Sequence, residues 1–174
     1  MKLSNIYYTL MTTELGKIGV VWRNENYHIR IIEIILPPLS INSIKKNYPG
    51  VLKKKNIIVE KVLKCINSYG KGKKVRFSLK NLDLECLNNF QKKVLMRTRM
   101  IPPGKTKSYG TIAKELGIPK GGARAVGQAL AKNPFPIIIP CHRVIKSDGT
   151  LGGFGGNVNL KRKLLTIERT MVEK

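Results

Sequence analysis

Asn133-Pro134-Phe135-Pro136-Ile137-Ile138-Ile139-Pro140-Cys141-His142-Arg143-Val144 is the stretch on which the reading of this 174-residue chain turns. Three isoleucines between Pro136 and Pro140 predict a short, buried, extended segment, because a β-branched run suits a pleated chain and proline stops it at each end. The segment delivers Cys141 at its end, with His142 beside it. A thiol next to an imidazole can become a thiolate, the form that attacks carbon. Adjacent side chains of an extended segment point to opposite faces, so the proton must pass from Cys141 to His142 through a water. Glu168 lies one turn after Leu164, on the inward face of a predicted last helix, and completes the order nucleophile, base, orienter. The same Cys-His pair also fits a small buried thiol beside a structural histidine.

Upstream of this stretch the apolar spacing is helical. Phe90, Val94, Leu95, Thr98 and Ile101 line one face of a helix ended by Pro102-Pro103-Gly104. Ser108 caps a second helix with Ile112, Ala113 and Leu116 inward, and Gly117 and Pro119 end it. A third runs from Gly122 to Lys132 with Val126, Ala129 and Leu130 buried. Two short helices joined by a turn with Gly and Pro have the form of a helix-turn-helix. Downstream, Gly152-Gly153-Phe154-Gly155-Gly156 reads as a flexible loop. Asn157 or Asn159 then starts the last helix, which carries Leu160, Leu164 and Ile167.

The first half reads differently. Asn5 to Thr13, Lys17 to Arg23 and Tyr27 to Leu36 are rich in Ile, Val, Tyr and Thr and predict three strands, with turns at Gly16 and Asn24-Glu25-Asn26. Ser40 caps a short helix before Tyr48-Pro49-Gly50. Asn56 to Tyr69 is helical, with Gly70 as its stop, and Val75 to Leu79 predicts one more strand. A boundary near residue 83 divides a small α/β domain, a small antiparallel sheet with helices over 1–82, from a mainly α domain over 83–174.

The chain carries 33 Lys and Arg against 10 Asp and Glu, a formal net charge of +23. Residues 1–82 hold 16 basic and 4 acidic side chains, and residues 83–174 hold 17 and 6. So even a spread has a plain explanation in a solvated lysine-rich surface, yet a field this positive favours polyanions, and nucleic acid leads on charge. Apolar residues at 42% exclude disorder as the main state. No apolar run is long enough to cross a bilayer, and nothing at the N-terminus marks export. Cys65, Cys86 and Cys141 form no CxxC pair, which argues against a disulfide framework. A cytoplasmic protein is predicted, nucleoid-associated in a prokaryote.

The run from Asn133 to Val144 closely resembles the active-site signature of the O6-alkylguanine-DNA alkyltransferases. So do Ile101-Pro102-Pro103-Gly104-Lys105, Ser108-Tyr109 and Ala125-Val126-Gly127 upstream, and Gly152-Gly153-Phe154 with Gly156 and Leu164-Leu165 with Glu168 downstream. The resemblance covers residues 83–170. It implies a helix-turn-helix domain of winged-helix type, double-stranded DNA bound through the minor groove, and O6-alkylguanine flipped out of the duplex. The alkyl group passes irreversibly to the protein's own cysteine in one turnover, with O4-alkylthymine as a second candidate substrate. No cofactor or metal takes part, and the protein is expected to act as a monomer.

Residue by residue, the resemblance makes Cys141 the alkyl acceptor, His142 the base acting through a water, and Glu168 the carboxylate that holds the imidazole. Asn133 braces the active-site turn. Tyr109 crowds the DNA backbone and protonates the leaving guanine, and Arg124 fills the gap left by the flipped base. Val144, Phe154, Gly155 and Gly156 form the substrate pocket. Gln91, Ser147, Gly122 and Ala123 are further DNA contacts. Two departures stand out: Gly121-Gly122-Ala123 is one residue longer than the family's turn, and Gly155 offers only its backbone N–H where some relatives have a hydroxyl. Residues 1–82 hold only Cys65 and His28, too few for the zinc site some relatives carry there. The competing readings are a helix-turn-helix lesion sensor or regulator without chemistry, against which Cys141 speaks, and a cysteine hydrolase, which would need an oxyanion hole.

Overall fold

A computed structural model describes residues 6–119, 121–155 and 157–172. The chain divides into two compact units, Met1–Asp83 and Leu84–Lys174. Asp83 belongs to the first, where its carboxylate meets Arg23 at 3.0 Å.

In the first unit β1 (Ile6–Thr13), β2 (Gly16–Glu25) and β3 (His28–Ile35) form an antiparallel meander. This is the small antiparallel sheet expected; a fourth strand, β4 (Leu52–Lys53), adds parallel to β1 at Tyr7 and Tyr8 and makes the whole sheet mixed. The reason is the connection: the chain crosses over through α1 (Ile41–Asn47), and a crossover brings the next strand back parallel. The second turn falls later than Asn24-Glu25-Asn26. Asn24 and Glu25 still pair with β3, and Asn26 and Tyr27 take φ of 48° and 66°, the two left-handed positions of a tight two-residue hairpin.

The core of this unit forms around β2, where Ile18, Val20, Val21 and Trp22 are buried. Trp22 can be buried because its indole N–H donates to Thr9 Oγ1 at 3.0 Å. Ser40 caps α1, and Asn56 Oδ1 caps α2 (Ile57–Gly70) by accepting from Ile58 N at 2.9 Å. Val59, Leu63, Ile66 and Tyr69 form the buried stripe of α2. Gly70 is the last helical residue rather than the stop; the left-handed position is Gly72, at φ 76°.

The strand predicted over Val75–Leu79 does not form. Its alternation is real, but the edge of β3 is taken two residues further on, where Ile31 N donates to Asn81 O at 2.7 Å and Asp83 N to Ile31 O at 2.8 Å. Phe77 packs edge-on against Tyr69 instead.

In the second unit Asn88 caps α3 (Asn89–Arg99), which buries Val94, Leu95 and Thr98. Phe90, expected on that face, is 40% exposed because it sits in the first turn, ahead of the packed stripe. Ser108 caps α4 (Tyr109–Glu115), and α5 (Gly122–Ala131) packs against it, burying Val126, Ala129 and Leu130. β5 (Lys107–Ser108) runs parallel to β6 (Val144–Ile145). Asn157 Oδ1 accepts from Leu160 N at 2.9 Å and starts α6 (Val158–Val172), so of the two expected starts it is the first that serves. No helix among the described residues is long and apolar enough to cross a membrane.

Candidate active site

The isoleucine run is buried, as expected, but it is a turn and not an extended segment. Ile139 N donates back to Phe135 O at 2.8 Å, and Ile137 sits at φ 74°, a left-handed conformation that a β-branched residue rarely takes. Prolines at both ends leave few alternatives, and the apolar burial of Phe135, Ile137, Ile138 and Ile139 holds the strained residue in place. Arg99 Nη1 adds a bond to Ile138 O at 3.0 Å. Cys141, His142 and Arg143 then form one 3-10 turn, all buried.

Asn133 closes this turn from the other side. Its Nδ2 donates to Ile139 O at 2.9 Å and to Cys141 Sγ at 3.2 Å, and its Oδ1 accepts from Phe135 N at 3.0 Å. His142 Nε2 lies 2.9 Å from Glu168 Oε1. Arg143 grips the same carboxylate through Nε, at 3.0 Å from both oxygens, and through Nη2 at 2.7 Å, while its Nη1 donates to Ile101 O. Gly104 N also donates to Glu168 Oε2 at 3.2 Å. One carboxylate on α6 thus holds the catalytic turn and the loop after α3.

The protonation states follow from burial and partners. Burial alone would raise the Glu168 carboxyl, but the hydrogen bonds from His142 and Arg143 outweigh it and bring the value down to about 2. Burial lowers the His142 imidazole, against the pull of Glu168, and keeps it neutral and able to accept a proton. Burial raises the Cys141 thiol, opposed by the Asn133 hydrogen bond and by the charge of Lys161. Burial also raises the Tyr109 phenol, helped by Cys141, so this hydroxyl stays a proton donor.

Tyr109 reaches the site because β5 pairs Lys107 with Val144 and Ser108 with Ile145, which sets the first residue of α4 beside the Cys141 turn. Gly152, at φ 66°, lets the loop pass the phenol: a Cβ there would lie 2.8 Å from Tyr109 Oη. Phe154 is buried and meets the His142 ring edge-on, and Val144 is buried beside Cys141. Gly155 is exposed at φ 50°, and Gly156 lies outside the described residues. Arg124 is exposed on the first turn of α5, after Gly121, Gly122 and Ala123, with Gly121 at φ 96° as the cap. Gln91 is committed elsewhere: its Nε2 donates to Lys132 O at 2.8 Å and ties down the end of α5. Ser147 is exposed on the turn after β6.

Two site residues went unnoticed in the sequence. Arg143 is part of the Cys-His-Arg run, and Lys161 shares the inward face of α6 with Leu164 and Glu168. A lysine at that spacing was the available signal. Lys161 is fully buried; its Nζ donates to Val144 O at 2.7 Å and to Gly153 O at 3.5 Å, joining the segment after the Cys141 turn to the glycine-rich loop. Burial lowers its ammonium to about 8, opposed by Cys141. Among the described residues no group of three or more His, Cys, Asp or Glu side chains could hold a metal ion.

Residues 89–170 match the family described as 6-O-methylguanine DNA methyltransferase, DNA binding domain. A methylated-DNA–protein-cysteine methyltransferase of Methanothermobacter thermautotrophicus is 37% identical over 161 residues, covering 90% of this chain and 81% of that protein. A DNA base-flipping protein of Thermus thermophilus is 36% identical over 132 residues, covering 75% of this chain and 88% of that one. Among solved structures, Mycobacterium tuberculosis OGT in complex with DNA superposes with a TM-score of 0.78 at 31% identity, over 95% of this chain and 94% of that chain.

Proposed function

The chain belongs to the 6-O-methylguanine DNA methyltransferase family, and from that premise we propose that Cys141 is the alkyl acceptor of a DNA repair protein that is used once. The protein binds double-stranded DNA through the minor groove as a monomer, with α5 inserted and Arg124 occupying the space of a flipped O6-alkylguanine. Val144, Phe154, Gly155 and Gly156 enclose the extruded base, and Lys161 fixes the Val144 carbonyl that faces its edge. Ser147, Gly122 and Ala123 lie along the DNA backbone, and Gln91 contributes indirectly by holding the end of α5.

In the transfer, Cys141 Sγ attacks the alkyl carbon in line with the bond to O6. The S–C bond forms, the C–O6 bond breaks, and its electron pair stays on the guanine. The thiol proton passes through a water to His142, whose imidazolium is stabilised by Glu168. Tyr109 protonates the leaving guanine and regains its proton from solvent. The product is a thioether, which no group in the site can hydrolyse, so the reaction stops at one.

The observation that carries this reading is that His142, on the same turn as a thiol held by Asn133, lies buried 2.9 Å from Glu168 of α6. Intact mass after mixing with duplex DNA containing O6-methylguanine tests it. The expected result is a gain of one methyl per chain, mapped to Cys141. A damaged duplex that stays bound without any adduct would mean a lesion sensor, and repeated product release would mean a hydrolase.

A further inference from the structure

The first unit carries nearly as large a positive excess as the second, yet none of the residues assigned above lies in it. We propose that its sheet edge holds a separate site for the phosphodiester backbone of DNA, formed by Lys17, Lys53, Lys54 and Lys55. These four lysines, with Thr9 to Thr12 of β1 and Glu60, line a cavity of about 430 Å³. The proposal rests on the reading of the chain as a DNA-binding protein and adds a surface outside the helix-turn-helix.

Both the local geometry and the charge support it. Lys54 N donates to Tyr8 O at 3.0 Å, which continues the β4 ladder past Lys53. Lys53, Lys54 and Lys55 follow one another along this edge, and Lys17, from the start of β2, faces the same cavity.

The charge is also unbalanced. Glu60 is the one carboxylate lining the cavity, and none of the four lysines forms an ion pair among the described residues. Four like charges around one concavity repel each other unless an anion joins them. Lys54 is steadied by the Tyr7 ring, with Nζ 4.6 Å from its centroid, which spares part of the cost of ordering a long side chain. Thr12 adds an exposed hydroxyl as a neutral donor. Leu10 and Met11 also line the cavity, but four cationic side chains against one carboxylate favour an anionic ligand such as a phosphodiester over an apolar one.

The test uses the full chain and undamaged duplex DNA across a salt series. A Lys17→Gln, Lys53→Gln, Lys55→Gln variant should lower the steepness of log affinity against log salt by about 2 to 3, at roughly 0.9 for each phosphate that is no longer neutralised. Its reaction with free O6-benzylguanine should match the wild type, which shows that the fold and the chemistry are intact. A Lys45→Gln, Lys46→Gln, Lys64→Gln variant removes the same charge elsewhere in the unit and should keep most of the slope. An unchanged slope in the groove variant, or equal loss in both variants, overturns the proposal. So does a groove variant that binds duplex normally but loses affinity for polyglutamate, which would assign the groove to an acidic protein. Failure of the wild type to take a methyl group would instead strike the proposed function, because the groove test reads only differences in binding.

Discussion

Asn133 Nδ2 lies 3.2 Å from Cys141 Sγ and 2.9 Å from Ile139 O, so a single side-chain amide joins the nucleophile to the turn that presents it. The residues between them include Ile137 at φ 74°. Left alone, a β-branched residue would abandon that conformation, and the thiol would move with it. The amide thus does two things at once: it offsets backbone strain and donates a hydrogen bond that favours the thiolate.

Asn133→Ala removes both. The variant should lose about 1–3 kcal/mol of stability, the cost of leaving buried backbone groups without their partner. The thiol, already raised by burial, should rise further. Alkylation by O6-benzylguanine followed across pH should be slower at neutrality, with its midpoint displaced upward. A variant that is merely less stable, with the midpoint unmoved, would remove the electrostatic part of this account.

Glu168 has a folded pKa of about 2 against an ordinary 4.5. A depressed carboxyl stabilises the fold above its unfolded pKa, and that contribution disappears as pH falls from about 4.5 towards 2. The pKa difference corresponds to about 3 kcal/mol. Urea unfolding from neutral pH down to about pH 3 should show this loss in the wild type and a shallower dependence in Glu168→Gln. At neutral pH the variant should be less stable by about 3–5 kcal/mol, since Arg143 is left buried without its carboxylate. Parallel pH curves for the two proteins would contradict the assignment.

Gly152→Ala tests whether the loop positions the phenol. The added Cβ would sit 2.8 Å from Tyr109 Oη at a backbone φ of 66°, a strain of about 1–2 kcal/mol. Relief by movement of Tyr109 should slow transfer from O6-methylguanine DNA, while alkylation of Cys141 by iodoacetamide stays at the wild-type rate. Equal slowing of both reactions would place the damage at the thiol.

Arg124→Ala should slow repair in duplex DNA far more than reaction with free O6-benzylguanine, because only the duplex requires a base to be extruded. Paired single-turnover measurements on the two substrates make the comparison. Equal losses would sink the role given to this exposed arginine.

Local chemistry was the legible part of the sequence. Ser40 and Ser108 announce helix starts because a side-chain oxygen must satisfy backbone N–H groups there, and each does so; Asn56, read only as the first helical residue, caps α2 in the same way. The face shared by Leu164 and Glu168 follows from helical spacing and is buried. What escaped depends on partners distant in the chain. Val75–Leu79 has the pattern of a strand, but Asn81 and Asp83 take the bonds it would need. β4 is two residues long and carries no pattern. The Pro-bounded isoleucines have strand composition, and only the Phe135–Ile139 bond reveals a turn. Lys161 reads as a surface charge until Val144 and Gly153 supply its acceptors.

The short β5–β6 pair has an evolutionary consequence. From Tyr109 the chain leaves this pair, makes α4 and α5, and comes back at Asn133 to brace Cys141. The excursion is therefore a cassette clamped at both ends, with the phenol at its exit and the amide at its return. Substitutions along its exposed surface, as at Arg124, leave both clamps in place, and with them the spacing between phenol and thiol. Under the proposed function, the surface that meets DNA is thereby free to change without moving the reacting groups, although a few residues join the two.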